Sequence, residues 1–253
     1  MVERVDRRIM AAIRAVDAVT GAAIQGLLNI RGPGLAFQRT RSGAYAIVEA
    51  EGLEGHIAAF DAPPTTPVSE SRSFAFEIED PAGRYLPAAG SIRLPRRWDP
   101  ANDVRDLMVP IEVSLPPSAA RDLSPSWASV MAHVVDQDGQ PVRGALVEVL
   151  PTSGDAARLG WSITNNRGQA LVAVPGLPSL REVENDPTRT DDDQVVTAET
   201  ATDIRAQAYA DRRWPVDPVD LAAGGAGIRM TSETGVQLTA GRMVSVALTI
   251  DLS

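Results

Sequence analysis

Residues 135–149 read Val-Asp-Gln-Asp-Gly-Gln-Pro-Val-Arg-Gly-Ala-Leu-Val-Glu-Val, and this stretch decides the fold class. Asp138-Gly139 is a two-residue turn signal, because a left-handed turn suits glycine and tolerates aspartate. After the turn, apolar residues recur at every second position, at 145, 147 and 149. Period-2 alternation indicates a half-buried strand of an antiparallel sheet. The stretch therefore predicts a hairpin in an all-β protein.

A similar pattern occurs upstream. In residues 16–27 a strand ends in Val-Asp and a turn follows at Gly21. Gly26 comes five positions after Gly21, just as Gly144 comes five positions after Gly139. Four further blocks match in the same order: 40–47 with 164–172, 80–87 with 211–215, 92–94 with 228–230, and 108–115 with 243–250. We infer a tandem duplication in which each copy has about seven short strands in a Greek-key sandwich.

A Pro- and Ser-rich stretch follows the first copy, beginning at Pro116-Pro117. A proline pair favours an extended, stiff connection. We predict a first β-sandwich domain at 1–117, a linker at 118–126 and a second sandwich at 127–253. Both are expected to be antiparallel and immunoglobulin-like. Helices are expected to be short, as at Ser118–Leu123.

The second copy follows a pattern of a strand, then Gly-x-Pro-apolar-x-Gly-Ala-x-Val, then Thr with a turn Gly. The matching residues are Gly139, Pro141, Val142, Gly144, Ala145, Val147, Val149, Thr164 and Gly168. On these residues the chain resembles the carboxypeptidase regulatory-like domain, a transthyretin-like β-sandwich. In the first copy Ala23 replaces the proline and Asn29 replaces a buried Val, whereas Gly43-Ala44-Tyr45 fits. The resemblance implies a fold and an accessory or interaction role, and it implies no chemistry.

Composition excludes several classes of function. The net charge is −9, and a protein that binds nucleic acid needs excess basic side chains to neutralise phosphates. The chain has no cysteine, which excludes disulfides, thiolate metal sites and a cysteine nucleophile. Arg14 and Asp17 interrupt the apolar residues near the start, which argues against a signal peptide, and no stretch has the length of a membrane span. We expect a cytoplasmic protein, free or within an assembled particle.

No pattern of catalytic or metal-binding residues is present in the sequence. The two histidines, His56 and His133, occupy unequal positions in the two copies and lack metal-ligand spacing. There is no Gly-x-Ser-x-Gly motif, and Gly224-Gly225-Ala226-Gly227 precedes a predicted strand rather than a helix. We predict no catalytic residue, no cofactor and no metal site, and therefore no enzyme.

Acidic side chains cluster in the long loop at 182–193: Glu182, Glu184, Asp186, Asp191, Asp192 and Asp193. Clustered carboxylates bind Ca²⁺ in some sandwich loops, but this spacing lacks the Asp-x-Asp-x-Asp-Gly form. A solvated loop is the favoured interpretation, and cation binding stays open.

Arginine and tryptophan group at two places, and both residue types are enriched where proteins bind each other. The residues are Arg93, Arg96, Arg97 and Trp98 in copy one, and Arg212, Arg213 and Trp214 in copy two. We predict that they form a protein-contact surface. The alternative is that each tryptophan packs over a sandwich edge with solvated arginines beside it.

The leading functional hypothesis is a non-catalytic structural or assembly module that docks a protein partner. A tandem sandwich of this size resembles accessory parts of phage tails or contractile injection particles. A carbohydrate- or surface-binding module is the alternative, although four Trp and three Tyr are few for aromatic platforms. A third hypothesis is an enzyme that uses the carboxylates of Asp191, Asp192 and Asp193.

Overall fold

A computed structural model describes residues 8–63, 66, 69–96, 109–152, 157–182 and 195–253. Contacts between Cα atoms divide the chain into two compact units. The first contains Met1–Gly83 and Pro87–Leu115, and the second contains Arg84–Leu86 and Pro116–Ser253. Both units consist mainly of antiparallel strands, which confirms the all-β prediction.

In its described part the first unit contains seven strands and one short helix: β1 (Ala11–Asp17), β2 (Asn29–Arg31), β3 (Leu35–Arg39), β4 (Tyr45–Ala50), α1 (Glu54–Ala58), β5 (Arg72–Glu79), β6 (Ala88–Leu94) and β7 (Ile111–Leu115). One sheet has the order β3-β4-β1-β7, and the other has the order β2-β5-β6. Both sheets contribute to the core, since Ile13, Ile47 and Ile78 have no solvent exposure. The Tyr45 hydroxyl joins the core to the loop before β2, because it accepts from the Leu28 N–H and donates to the Leu28 carbonyl.

The described part of the second unit contains ten strands and one helix: β8 (Ala128–Asp136), β9 (Leu146–Pro151), β10 (Gly160–Ile163), β11 (Gln169–Val174), β12 (Leu180–Glu182), β13 (Val195–Thr197), β14 (Thr200–Tyr209), α2 (Pro218–Ala223), β15 (Ile228–Met230), β16 (Thr234–Leu238) and β17 (Met243–Ile250). One sheet has the order β10-β9-β14-β15, and β16 also pairs with β14. A second sheet has the order β11-β8-β17, and β12 pairs with β13.

The core of the second unit lies between its two larger sheets. Alternate residues of β8 from Ala128 to Val134 are fully buried, and so are Val147 and Val149 of β9 and Ile204 of β14. All the buried members of this cluster are Val, Ala, Ile or Leu. Branched and small side chains of this kind pack closely between pleated sheets, so this core needs none of the few aromatic residues.

A second apolar cluster lies on the outer face of β9 and β14, next to α2. The Asp217 carboxylate caps α2 by accepting the Val219 N–H at 2.9 Å, and Pro218 occupies the first turn, where it needs no hydrogen bond. The cluster consists of buried Leu146, Ile163, Tyr209, Val216 and Leu221, with partly buried Leu86, Trp161, Trp214 and Ile228 packed against it.

Both units repeat one arrangement of first and last strands. β1 pairs in parallel with β7 and antiparallel with β4, while β8 pairs in parallel with β17 and antiparallel with β11. The aspartate that ends each first strand is buried and accepts a backbone N–H from the following turn, Asp17 from Val19 and Asp136 from Asp138. These matched positions support the inference of a duplication.

The turn after β8 contains three residues and not the predicted two. The Asp136 N–H donates to the Gln140 carbonyl at 2.9 Å, and the Gly139 N–H donates to the Asp136 carbonyl at 3.1 Å. Gly139 has the left-handed φ of +73° that closes a three-residue hairpin loop. The Asp136 side chain favours this longer form, because its Oδ1 accepts the N–H groups of both Asp138 and Gln140.

Two other predictions of local structure were wrong. Ser118–Leu123 forms no helix, and only a single turn closes there, with the Arg121 N–H donating to the Ser118 carbonyl. Six residues without a packed apolar face cannot offset the cost of helix nucleation. The sequence match of 92–94 with 228–230 was also wrong. Ile228 pairs with Tyr209 near the end of β14, and the residue that pairs with Ile78 near the end of β5 is Ala88. Ile228 therefore corresponds to Ala88 and not to Ile92.

Within the described residues, neither helix is long and apolar enough to cross a membrane.

Candidate interaction surface

The predicted contact residues of the first copy do not form a described cluster. Arg93 is exposed on β6, opposite Ser73 of β5. The Arg96 Nη1 donates to the Val109 carbonyl at 3.1 Å. Arg97 and Trp98 lie outside the described residues. The two described arginines belong to the first unit, whereas Arg212, Arg213 and Trp214 belong to the second.

Arg213 joins a carboxylate and an aromatic ring just after β14. Its guanidinium donates to both carboxylate oxygens of Asp211, with Nη2 2.8 Å from Oδ2. The same guanidinium lies over the Tyr209 ring, 4.1 Å from the ring centre. The hydrogen bonds from Arg213 lower the pKa of Asp211 below its usual value. Arg213 is therefore held over the Tyr209 ring by its ion pair with Asp211 and by the ring itself.

Arg212 connects the same segment to the first hairpin of the unit. Its φ of +53° is left-handed, which is uncommon for a residue with a side chain. Its Nη2 donates to Asp136 Oδ2, while Asp136 Oδ1 accepts backbone N–H groups of its own turn. The hydrogen bond from Arg212 is the largest cause of the lowered pKa of Asp136. Both carboxylate oxygens are thus occupied.

Trp214 is stacked between the apolar cluster and a second arginine. The Arg143 guanidinium lies over the indole, 4.0 Å from the ring centre. Gly144 allows the hairpin to approach, since its φ is +80° and a Cβ there would lie 3.0 Å from the Val216 Cγ1 and 3.4 Å from the indole. Partial desolvation lowers the pKa of Arg143 below the usual arginine value, although the residue stays exposed.

Arg143 differs from its neighbours in having no carboxylate partner. Among the described residues no acidic oxygen lies within ion-pair distance of it, whereas Arg212 and Arg213 each pair with an aspartate. Its side chain is exposed. We name the set Arg143, Tyr209, Arg212, Arg213 and Trp214 the arginine–aromatic surface. Three of these residues were predicted from the sequence as part of a contact surface, which stays a prediction. The sequence did not point to Arg143 or Tyr209, because only the fold places the hairpin next to Trp214.

The outer face of β9 holds a buried carboxylate that the sequence analysis did not single out. Glu148 is 3% exposed. Its Oε1 accepts from Arg158 at 2.9 Å, and its Oε2 accepts from Arg205 at 3.0 Å and from the Gln207 amide at 3.0 Å. Arg158 also lies over the Trp161 ring at 4.9 Å. Both carboxylate oxygens accept hydrogen bonds, so the arrangement is suited to holding β9, β10 and β14 together.

The histidines and acidic residues make no joint site in the described part. His133 lies on β8, opposite Gln169 of β11 and Ala247 of β17. His56 is buried in α1 of the other unit, with Nε2 3.2 Å from the Arg8 Nη1. Among the described residues no group of three or more acidic or histidine side chains could hold a metal ion. Of the acidic loop, only the Glu182 backbone is described, and Glu184, Asp186, Asp191, Asp192 and Asp193 lie outside the described residues.

No family model matches the chain, and no curated protein matches it. Among solved structures, a match is to a structure titled "Structure of the Streptococcal ancillary pilin", at 11% sequence identity and a TM-score of 0.28. The match covers 86% of this chain and 49% of the pilin chain, so this chain spans about half the length of that protein. At that TM-score the likeness supports no conclusion about fold or function.

Proposed function

We propose that this chain is a non-catalytic structural or assembly module that docks a protein partner through the arginine–aromatic surface. The Arg143–Trp214 stack is the observation on which the proposal depends. Tryptophan, tyrosine and arginine dominate the binding energy of protein interfaces. The stack fixes the guanidinium before a partner arrives, which lowers the entropy cost of binding.

Among the described residues Arg143 pairs with no carboxylate, and this suggests which partner chemistry suits the surface. A guanidinium presents planar N–H donors that match a carboxylate in two parallel hydrogen bonds. Arg212 and Arg213 already donate to Asp136 and Asp211, so they position the surface and leave Arg143 to bind the partner. An aspartate or glutamate of the partner protein is the complementary group.

The larger assembly that we propose is a phage-tail-like or contractile injection particle, by analogy with tandem sandwiches that serve there as accessory parts. The absence of cysteine is compatible with assembly in a reducing cytoplasm.

We also propose that the second unit is a carboxypeptidase regulatory-like domain. Three residues of its motif occupy specific positions that support this assignment. Gly139 and Gly144 both have left-handed φ angles. The buried Thr164 hydroxyl accepts the Ala145 N–H at 2.8 Å and donates to the Val142 carbonyl. A side chain without that hydroxyl would leave both backbone groups unpaired.

The carbohydrate- or surface-binding alternative is less well supported by the rings that the structure describes. A sugar platform needs an open aromatic face. Four rings instead have a guanidinium over one face: Tyr85, Trp161, Tyr209 and Trp214.

Size fractionation of lysate from the native host tests the docking proposal. We expect the wild-type chain to migrate with a large particle and the Arg143→Ala variant to migrate as free protein, since truncating a hot-spot residue costs about 2 kcal/mol or more, roughly 30-fold in Kd. Arg167→Ala is the matched control, because Arg167 is an exposed arginine of the same unit outside the surface. Wild-type chain found wholly as free protein contradicts the proposal, and so does Arg143→Ala that migrates like wild type.

A further inference from the structure

The last strand of the second unit lies at the edge of its sheet. β17 pairs with β8 over eight residues, from Met243 opposite Ser129 to Ile250 opposite Asp136. No other described strand pairs with β17. An unpaired edge presents a row of free backbone donors and acceptors, to which another strand can add.

The backbone groups on the free side of β17 can be assigned. The Ser129 N–H donates to the Arg242 carbonyl at 3.0 Å, and in a parallel pair the groups of alternate residues point to the same neighbour. Even-numbered residues of β17 therefore bond to β8. The odd-numbered residues direct their N–H and C=O groups away from it, and their side chains are exposed: Met243, Ser245, Ala247 and Thr249.

This edge lacks the features that normally prevent strand addition. Natural edge strands are protected by charged side chains, proline, a bulge or short length. β17 has eight residues and contains neither a charge nor a proline. The corresponding edge strand of the first unit, β7, has five residues and an exposed glutamate, Glu112, among them.

The strand is complementary to a second copy of itself. If two β17 strands pair antiparallel about Val246, Met243 faces the second copy's Thr249 and Ser245 faces the second copy's Ala247. On the inner face Val244 meets the second copy's Leu248. That register makes up to about eight hydrogen bonds, sets apolar residues against apolar residues on the inner face and brings no like charges together.

Charges at the two ends favour the antiparallel direction. Arg242 precedes β17 and is exposed without a carboxylate partner among the described residues, while Asp251 follows the strand. In the antiparallel register Arg242 faces the second copy's Ile250, and the second copy's Asp251 is the next residue, on the opposite face of the sheet. The opposite charges therefore attract through space without a direct ion pair, and this attraction occurs twice, as the symmetry of a two-fold dimer requires.

We propose that two copies of this chain associate through β17, so that the β11-β8-β17 sheets of both copies join into one continuous sheet. The interface is of the small class, which is typical of weak and reversible pairs. It uses none of the residues of the arginine–aromatic surface, so each proposal can fail without the other.

Sedimentation of the purified full chain, from roughly 1 μM to 1 mM, tests the proposal. We expect a concentration-dependent dimer for the wild type and a monomer for Ala247→Pro. The proline removes an N–H that points to the free edge and leaves every hydrogen bond to β8 in place. Ala247→Val is the control, since valine keeps the N–H and favours a strand, and it should dimerise like the wild type. A wild type that stays monomeric throughout the range overturns the proposal.

A charge exchange tests the register even if the proline variant does not fold. Arg242→Glu alone should raise the dimer dissociation constant several-fold, because the attraction at each end of the interface becomes a repulsion between like charges. The double variant Arg242→Glu/Asp251→Arg should return it towards the wild-type value. Amide hydrogen exchange gives a second readout: the N–H groups of Ser245, Ala247 and Thr249 should become protected as concentration rises. Dimerisation without protection of these amides overturns the assignment to β17.

Discussion

The Glu148 carboxylate holds two arginines and a glutamine on one face of β9 and β14. The Glu148 side chain is 5% exposed, and those of Arg205 and Arg158 are 28% and 35% exposed. Removing one partner of a buried ion pair is costly because the remaining charges lose their compensation. Water screens the two partly exposed arginines and reduces that cost.

We therefore expect Glu148→Gln to lower the free energy of unfolding by about 2 kcal/mol, below the range of fully buried pairs. Urea unfolding followed by circular dichroism measures the change. Glu77→Gln is the matched control, because Glu77 also pairs with an arginine across two strands but both side chains are exposed, and its loss should stay below about 1 kcal/mol. Equal losses in the two variants would mean that the Glu148 cluster adds no stability beyond that of a surface pair.

Cross-strand register explains why this cluster could not be predicted. Alternation with Val147 and Val149 places Glu148 on the outer face, where a charged side chain is normally solvated. Its partner Arg205 lies opposite it on β14, 57 residues later. A single sequence contains no signal for that pairing, and the same holds for Arg143 over Trp214.

Elements are joined in the second unit by glycines with two different roles. Gly139 and Gly168 both lie in turns with φ near +70°. A Cβ at Gly139 would meet nothing within 4 Å, whereas a Cβ at Gly168 would lie 2.4 Å from the Val134 carbonyl oxygen. The first glycine serves backbone conformation alone, and the second also allows the turn before β11 to lie against β8.

Substituting alanine at each position separates these roles. Gly139→Ala should cost about 1 kcal/mol for the left-handed backbone. Gly168→Ala should lose a further 1–3 kcal/mol, roughly the cost of overpacking a site that cannot relax. Chemical unfolding of both variants gives the comparison, and equal losses would show that the turn moves away without cost.

The strands could be predicted more reliably than the connections between them. Period-2 alternation predicted β5 and β17, each of which has one buried and one open face. It also predicted β9, but β9 is buried on both faces and not half-buried as expected. Ser118–Leu123 forms no helix because it has no packed apolar face. The turn at 137–139 has three residues because of hydrogen bonds to the Asp136 side chain. Neither influence is visible in local propensity.

At the scale of the whole molecule, the internal repeat gave more information than any single motif. Both units place their last strand parallel to their first, a pairing that the expectation of antiparallel sheets did not include. The candidate surface was only partly predictable, since it joins a hairpin near the start of the second unit to a segment about 70 residues later. Long-range contacts of this kind require the fold.

The parallel pairing of first and last strands also determines how each unit responds to mechanical force. When a unit is pulled by its two ends, its parallel terminal strands are drawn past each other and their hydrogen bonds are loaded together in shear. The second unit has eight register pairs between these strands, and the first has five in its described part. Single-molecule pulling of the chain should therefore show a higher rupture force for the second unit than for the first, and the opposite order would contradict this expectation.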